Sequence, residues 1–168
     1  MSRIVDGLIA VVVLAGMAGT ALAESGTVVD KQSFDTRLAG FGKVRFVSHL
    51  DRSKGPGKCR FELQRGGRTI YRFLKPHAND WSCEEITGVA FADVNGDGRK
   101  DVIVMATAIT GIGPTAARPF NANTIYYNTD KGRFVSVAAV NTLASKHDSV
   151  GKVRRALVKS PYAKILPK

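Results

Sequence analysis

Apolar and polar residues alternate along much of this chain, in short runs divided by Gly, Pro, Asn and Asp. A period of two puts successive side chains on opposite faces of a strand, so these runs predict β-structure with one buried face. Val44 to Ser48 alternates in this way. Cys59-Arg-Phe61-Glu-Leu63 alternates cleanly, Gly66-Gly67 follows, and Thr69-Ile-Tyr71-Arg-Phe73 returns, which predicts a hairpin. Cys59, Phe61 and Leu63 are expected in the core, with Arg60 and Glu62 in solvent. A second hairpin is expected where Val89 and Phe91 alternate with small residues and the apolar run from Val102 to Met105 follows. A third spans Thr124 to Val137, around a turn at Asn128-Thr-Asp-Lys-Gly132.

The period changes near the end. Val150, Val153 and Leu157 share one face at helical spacing, and Asp148 or Ser149 can cap the start, so a helix is predicted over about residues 148–160. The stripe is expected to dock on the sheet; a membrane-surface helix is the alternative. Residues 24–40 are weakly patterned, and no second domain is evident. The expected fold is mainly β: antiparallel hairpins in a curved sheet or small sandwich, or a partial propeller-like unit, with a C-terminal helix.

The first residues follow another logic. Arg3 precedes an apolar core from Leu8 to Leu14, and Ala21-Leu22-Ala23 stands before Glu24. That order predicts a signal peptide at 1–23, cleaved to leave a single domain at 24–168 with a loose basic tail at 161–168. The expected location is the periplasm or the exterior, with no transmembrane anchor after cleavage. Cys59 and Cys83 both lie in the exported part, where an oxidising compartment favours a disulfide between them.

Charge adds a partner class. Lys and Arg number 25 against 14 acidic residues, for a net charge of +11. Residues 145–168 hold seven Lys or Arg and one Asp. Exposed cations suit anionic polymers or acidic partners, and Lys152, Arg155 and Lys159 are candidate contacts. A long Gly-, Pro- and Ala-rich loop at 109–122, carrying Arg118 and Phe120, is a second candidate binding surface, because loops of that length in a compact domain are often functional.

The sharpest chemical signal is Asp93-Val-Asn95-Gly-Asp97-Gly98-Arg99-Lys-Asp101. Side-chain oxygens fall at loop positions 1, 3, 5 and 9, and the carbonyl of Arg99 stands at position 7. Gly98 at position 6 permits the sharp turn. Ca²⁺ takes six to eight oxygens, and a short loop with this spacing can supply most of them. Asp93, Asn95, Asp97, Arg99 and Asp101 are therefore the expected ligands. The alternative is an Asp- and Asn-rich turn that binds nothing. An EF-hand is excluded, because position 12 is Val104 and the flanks read as strands.

The stretch from Ile86 to Val104 resembles the calcium-loop hairpin of FG-GAP and VCBS repeats, present here in one copy. That resemblance implies a strand–loop–strand calcium site. More loosely, the order of parts is similar to calcium-binding periplasmic immunity proteins that inhibit lysozyme-like toxins, which implies a protein partner.

Catalytic templates are not met. There is no G-x-S-x-G elbow and no phosphate-cradling Gly loop. His49, His77 and His147 are scattered and read as ordinary surface or loop residues. Glu84 and Glu85 are adjacent and would point to opposite faces of a strand. No RNA-binding signature is present, so no nucleic-acid partner is expected. The chain reads as a non-enzymatic, calcium-stabilised binding module, with a protein or an anionic envelope polymer as partner; a hydrolase with its site under the 109–122 loop ranks third.

Overall fold

The computed structural model describes residues 26–53, 55–74, 81–111 and 118–160. The expected signal peptide, the basic tail at 161–168, His77 and the middle of the 109–122 loop lie outside these residues. The alternating segments form two antiparallel sheets. The first holds β1 (Thr27–Val28), β2 (Phe34–Leu38), β3 (Gly42–Asp51), β4 (Lys58–Arg65) and β5 (Arg68–Arg72). Its order is β1-β3-β4-β5, with β2 also paired to β3. The second holds β6 (Ser82–Ala92), β7 (Asp101–Ile109), β8 (Phe120–Asn121), β9 (Thr124–Asn128) and β10 (Phe134–Val135). Its order is β10-β9-β7-β6, with β8 also paired to β7. Two helices follow, α1 (Ala138–Ala144) and α2 (Val150–Val158).

Side-chain alternation in β7 explains how the layers stack. Val102 and Val104 face the first sheet, in a core with Phe46, Phe61, Leu63, Phe73, Tyr126 and Phe134. Ile103 and Met105 face the other way, in a core with Ile125, Tyr127, Val140, Val153 and Leu157. The molecule is thus layered as sheet, sheet and helix pair. β7 lies in the middle layer, buried on both faces, which is why its sequence reads as a nearly unbroken apolar run. The intersheet core is largely aromatic. The Phe73 ring centroid lies 4.7 Å from that of Phe134 and 4.8 Å from that of Tyr126. A Phe→Ala change in such a core typically costs about 3–5 kcal/mol.

Cys59 on β4 and Cys83 on β6 form the expected disulfide, which joins the two sheets. Closing that loop stabilises the fold by roughly 3–4 kcal/mol in the chain-entropy model. The strands approach closely beside it. Cys83 N–H donates to the Gly57 carbonyl at 2.7 Å, and Gly57 N–H donates to Ser82 Oγ at 2.8 Å. A Cβ on Gly57 would stand 2.2 Å from the Cys83 carbonyl oxygen, so only glycine fits.

The hairpin at Gly66-Gly67 forms as expected, with Cys59, Phe61 and Leu63 buried. Two expectations for its outer side need correction. Arg60 and Glu62 are half-buried instead of solvated. Glu62 Oε1 lies 3.3 Å from His49 Nε2, so His49 is a strand residue paired across the sheet and not a loose surface group. Residues 27–38, weakly patterned in sequence, form β1, a 3₁₀ turn at Asp30–Gln32 and β2. These are short edge elements, and Leu38 is their one buried hydrophobic residue.

Candidate metal centre

The β6–β7 hairpin ends in the loop from Asp93 to Lys100. Its two strands pair from Ser82↔Ile109 down to Ala92↔Asp101, so the loop sits at the tip of the longest hairpin in the described chain. The short polar side chains then turn back on the backbone. Asp93 Oδ1 accepts from the N–H of Gly96 at 2.7 Å and of Asp97 at 3.2 Å, and Asp93 Oδ2 accepts from Gly98 N–H at 2.8 Å. Asp97 Oδ1 accepts from Arg99 N–H at 2.8 Å, and Asn95 Nδ2 donates to Asp97 Oδ2 at 3.1 Å. Gly98 sits at φ 80°, the left-handed region where a side chain is strained.

Burial grades along the loop. Asp93 is exposed, the Asp97 side chain is 4% exposed, and Asp101 is fully buried. Asp101 closes the base. Its Oδ2 accepts from Val94 N–H at 3.0 Å and its Oδ1 from Asn128 N–H at 2.9 Å, tying the loop to β9. Burial pushes the Asp101 carboxyl up to about 6. The two N–H groups pull against that rise, while the charges of Asp97 and Asp93 add to it. At Asp93 burial also raises the carboxyl, but the N–H groups of Gly98, Gly96, Asp97 and Asn95 outweigh it and hold the group below the ordinary range.

Sequence reasoning credited Arg99 with a backbone carbonyl only. Its side chain does more. The guanidinium lies 2.9 Å from Asp97 Oδ2, and its Nε donates to the Asn128 carbonyl at 3.0 Å. Asn128 in turn donates from Nδ2 to the Ala39 carbonyl at 3.1 Å, reaching the β2–β3 turn of the first sheet. From sequence Asn128 reads only as the start of a turn, and neither it nor its neighbour Tyr127 as a site residue; Asn128 is instead the last residue of β9. Asn128 Oδ1 and the Tyr127 hydroxyl are buried without a hydrogen-bond partner among the described residues. No sequence signal marks them, because only the pairing of β9 with β7 brings them to Asp101.

Among the described residues, no group of three or more His, Cys, Asp or Glu side chains is arranged as a metal cluster. The loop's donors are nevertheless all oxygens, the chemistry a hard cation selects. Asp93, Asn95 and Asp97 lie within one turn, so the donor set fits Ca²⁺. Two features oppose the ion: Arg99 already holds Asp97, and both Asp101 oxygens already accept backbone N–H groups.

The other expected contacts lie elsewhere. Phe120 on β8 stacks edge-on against Trp81, with centroids 4.9 Å apart, and Arg118 is exposed just before it. β8 pairs with Thr107 and Ala108, roughly 20–24 Å along β7 from Asp101. Lys152, Arg155 and Lys159 are exposed on α2, where Lys152 Nζ meets Asp148 at 2.8 Å. Val153 and Leu157 are fully buried, so the apolar stripe docks on the second sheet. No helix among the described residues is long and apolar enough to cross a membrane. No family model, curated protein or solved structure matches this chain.

Proposed function

We propose that this chain is an exported, non-enzymatic binding module whose fold is stabilised by Ca²⁺. The observation that supports it is the inward folding of the 93–101 loop, with Asp93, Asn95 and Asp97 held around one turn and Asp101 closing its base. Asp93, Asn95, Asp97 and the Arg99 carbonyl would hold the ion, with Asp101 acting directly or through water. When bound, Ca²⁺ supplies positive charge that offsets the repulsion among these carboxylates. Carboxylates committed to an ion or to backbone N–H groups are poor acids and bases, which favours binding over catalysis. The expected partner is a component of the cell envelope, and a protein is the first candidate.

The metal is tested by thermal melting. Millimolar Ca²⁺ should raise the melting temperature above that in chelator, since a ligand bound only by the folded state stabilises it by about 2.7 kcal/mol at a hundredfold excess over Kd. Asp97→Ala should abolish the difference. Equal melting temperatures for the wild type in both conditions would refute the metal. A hydrolase screen with and without Ca²⁺ should be negative throughout; a turnover that Asp93→Asn removes would refute the non-enzymatic reading.

A second reading, an anionic envelope polymer held by the basic C-terminal segment, is favoured by one observation. α2 commits its apolar stripe to the core and leaves Lys152, Arg155 and Lys159 in solvent. Binding by that surface should weaken as salt rises.

A further inference from the structure

One end of the first sheet carries charge that the proposed metal does not explain. Arg37 on β2 stands directly opposite Lys43 on β3. Arg65 on β4 stands directly opposite Arg68 on β5, on the face that Leu63 shares, beside the Gly66-Gly67 turn. Like charges facing each other across strands destabilise a sheet, and here two such pairs flank the same end of one sheet. Arg45 is also exposed, but it is partly neutralised: Asp35 lies opposite it and Asp30 stands 3.8 Å away. Arg65 donates a hydrogen bond to the Phe41 carbonyl, which offsets none of its charge. Among the described residues, no carboxylate forms an ion pair with Arg37, Lys43 or Arg68. A groove open to solvent at this end is lined by Arg37, Lys43, Arg45, Gln64, Arg65 and the Gly66-Gly67 turn, with Asp35 as its one carboxylate; Arg68 stands outside it.

We infer that this groove binds a linear, hydrophilic polymer carrying phosphate groups. The inference deepens the reading of the chain as a binding module by naming a surface and a partner class; it does not depend on the metal. Juxtaposed cations call for an anion that bridges them. A phosphate, with several strong acceptor oxygens, can accept from more than one cation at once, and arginine's fork matches it. No aromatic ring lines the groove, so it lacks the stacking platform that single-stranded nucleic acid uses. Val44, its one large apolar lining residue, is buried in the intersheet core, so the groove offers no apolar surface to enter a bilayer.

The test is fluorescence anisotropy of labelled inorganic polyphosphate with the full chain. Saturable binding is expected, and Arg37→Gln combined with Lys43→Gln should weaken it by about tenfold or more. The slope of log affinity against log salt should become shallower by about one to two. The same double variant should melt no lower than wild type, because it removes a like-charge pair, so lost binding is not lost folding. Arg154→Gln combined with Arg155→Gln on α2, the competing cationic surface, should weaken binding less than the groove variant does. The proposal is overturned by absence of saturable binding, by equal or greater loss in the α2 variant, or by tighter binding of alginate or single-stranded DNA than of polyphosphate. Calcium-dependent melting can succeed or fail independently of every one of these results.

Discussion

At the scale of single residues, two side chains carry more than their types suggest. Arg99 places a fixed cation on Asp97, where the proposed ion would also bind. Removing it should have two opposite effects. Arg99→Ala should lower stability in chelator by about 1.5–3 kcal/mol, the range for a hydrogen bond to a charged group. It should also widen the gap between melting temperatures with and without Ca²⁺, because Asp97 no longer exchanges one cation for another. An unchanged gap would show that Arg99 and the ion do not compete. Asn123 is fully buried and fastens the start of β9 to the helices. Its Nδ2 donates to the Ala144 carbonyl at 2.9 Å and to the His147 carbonyl at 2.8 Å, and its Oδ1 accepts from Ala106 N–H at 3.3 Å. Asn123→Ala strands these groups and should cost about 2–3 kcal/mol in urea unfolding; a loss under about 0.5 kcal/mol would mean that water takes over. Neither role could be read in advance, since Arg99 and Asn123 find their partners only after distant strands pair.

At the scale of elements, what was legible depended on how many faces an element buries. The β4–β5 hairpin buries one face, alternates strictly and was readable to within a few residues. The helix at α2 announced itself through Val150, Val153 and Leu157 and begins after Ser149, although the Ser149 side chain makes no capping hydrogen bond. α1 gave no such signal. It has seven residues, includes Asn141 and Thr142, and is held by the burial of Val140 and Ala144. Asn141 Oδ1 also accepts from Ile125 N–H at 2.9 Å. Its stability is therefore tertiary, and local pattern could not reveal it. The loop at 93–101 was legible as a turn with inward oxygens because its bonds are local; the engagement of Asp101 with Asn128 was not. The outer face of the first sheet was misread at Glu62. Burial raises that carboxyl, but hydrogen bonds from Gln64, Thr69 and His49 outweigh the rise and leave it below its ordinary value. A carboxyl depressed in the folded state stabilises above its unfolded pKa, and that contribution is lost as pH falls through the folded value. Wild-type stability should therefore decline from about pH 4.3 downward, and Glu62→Gln should flatten that decline. Identical pH profiles would remove Glu62 from the account.

At the scale of the whole molecule, several turns gather at one end. The 93–101 loop reaches the end of β9 through Arg99 and Asn128, and Asn128 reaches the β2–β3 turn through Ala39. Phe41 in that turn stacks on Phe134 with centroids 5.4 Å apart and accepts a hydrogen bond from Arg65 beside the β4–β5 turn. The proposed metal loop and the cationic groove therefore share a scaffold while using separate side chains. Chelation should loosen this end first, and hydrogen exchange should show the amides of residues 94–100 losing protection before those of β7. Simultaneous loss in both would show that the loop opens only with the whole fold.

The bridge between Cys59 and Cys83 has a consequence beyond the stability it lends. It makes the segment between them a covalent ring that includes all of β5 and the start of β6. A single peptide cut anywhere from residue 60 to residue 82 would open the ring without releasing either fragment. A singly nicked chain should therefore run as one band without reductant and as two with it. Wherever proteases are abundant, this stretch can be cut once and the molecule still remain in one piece.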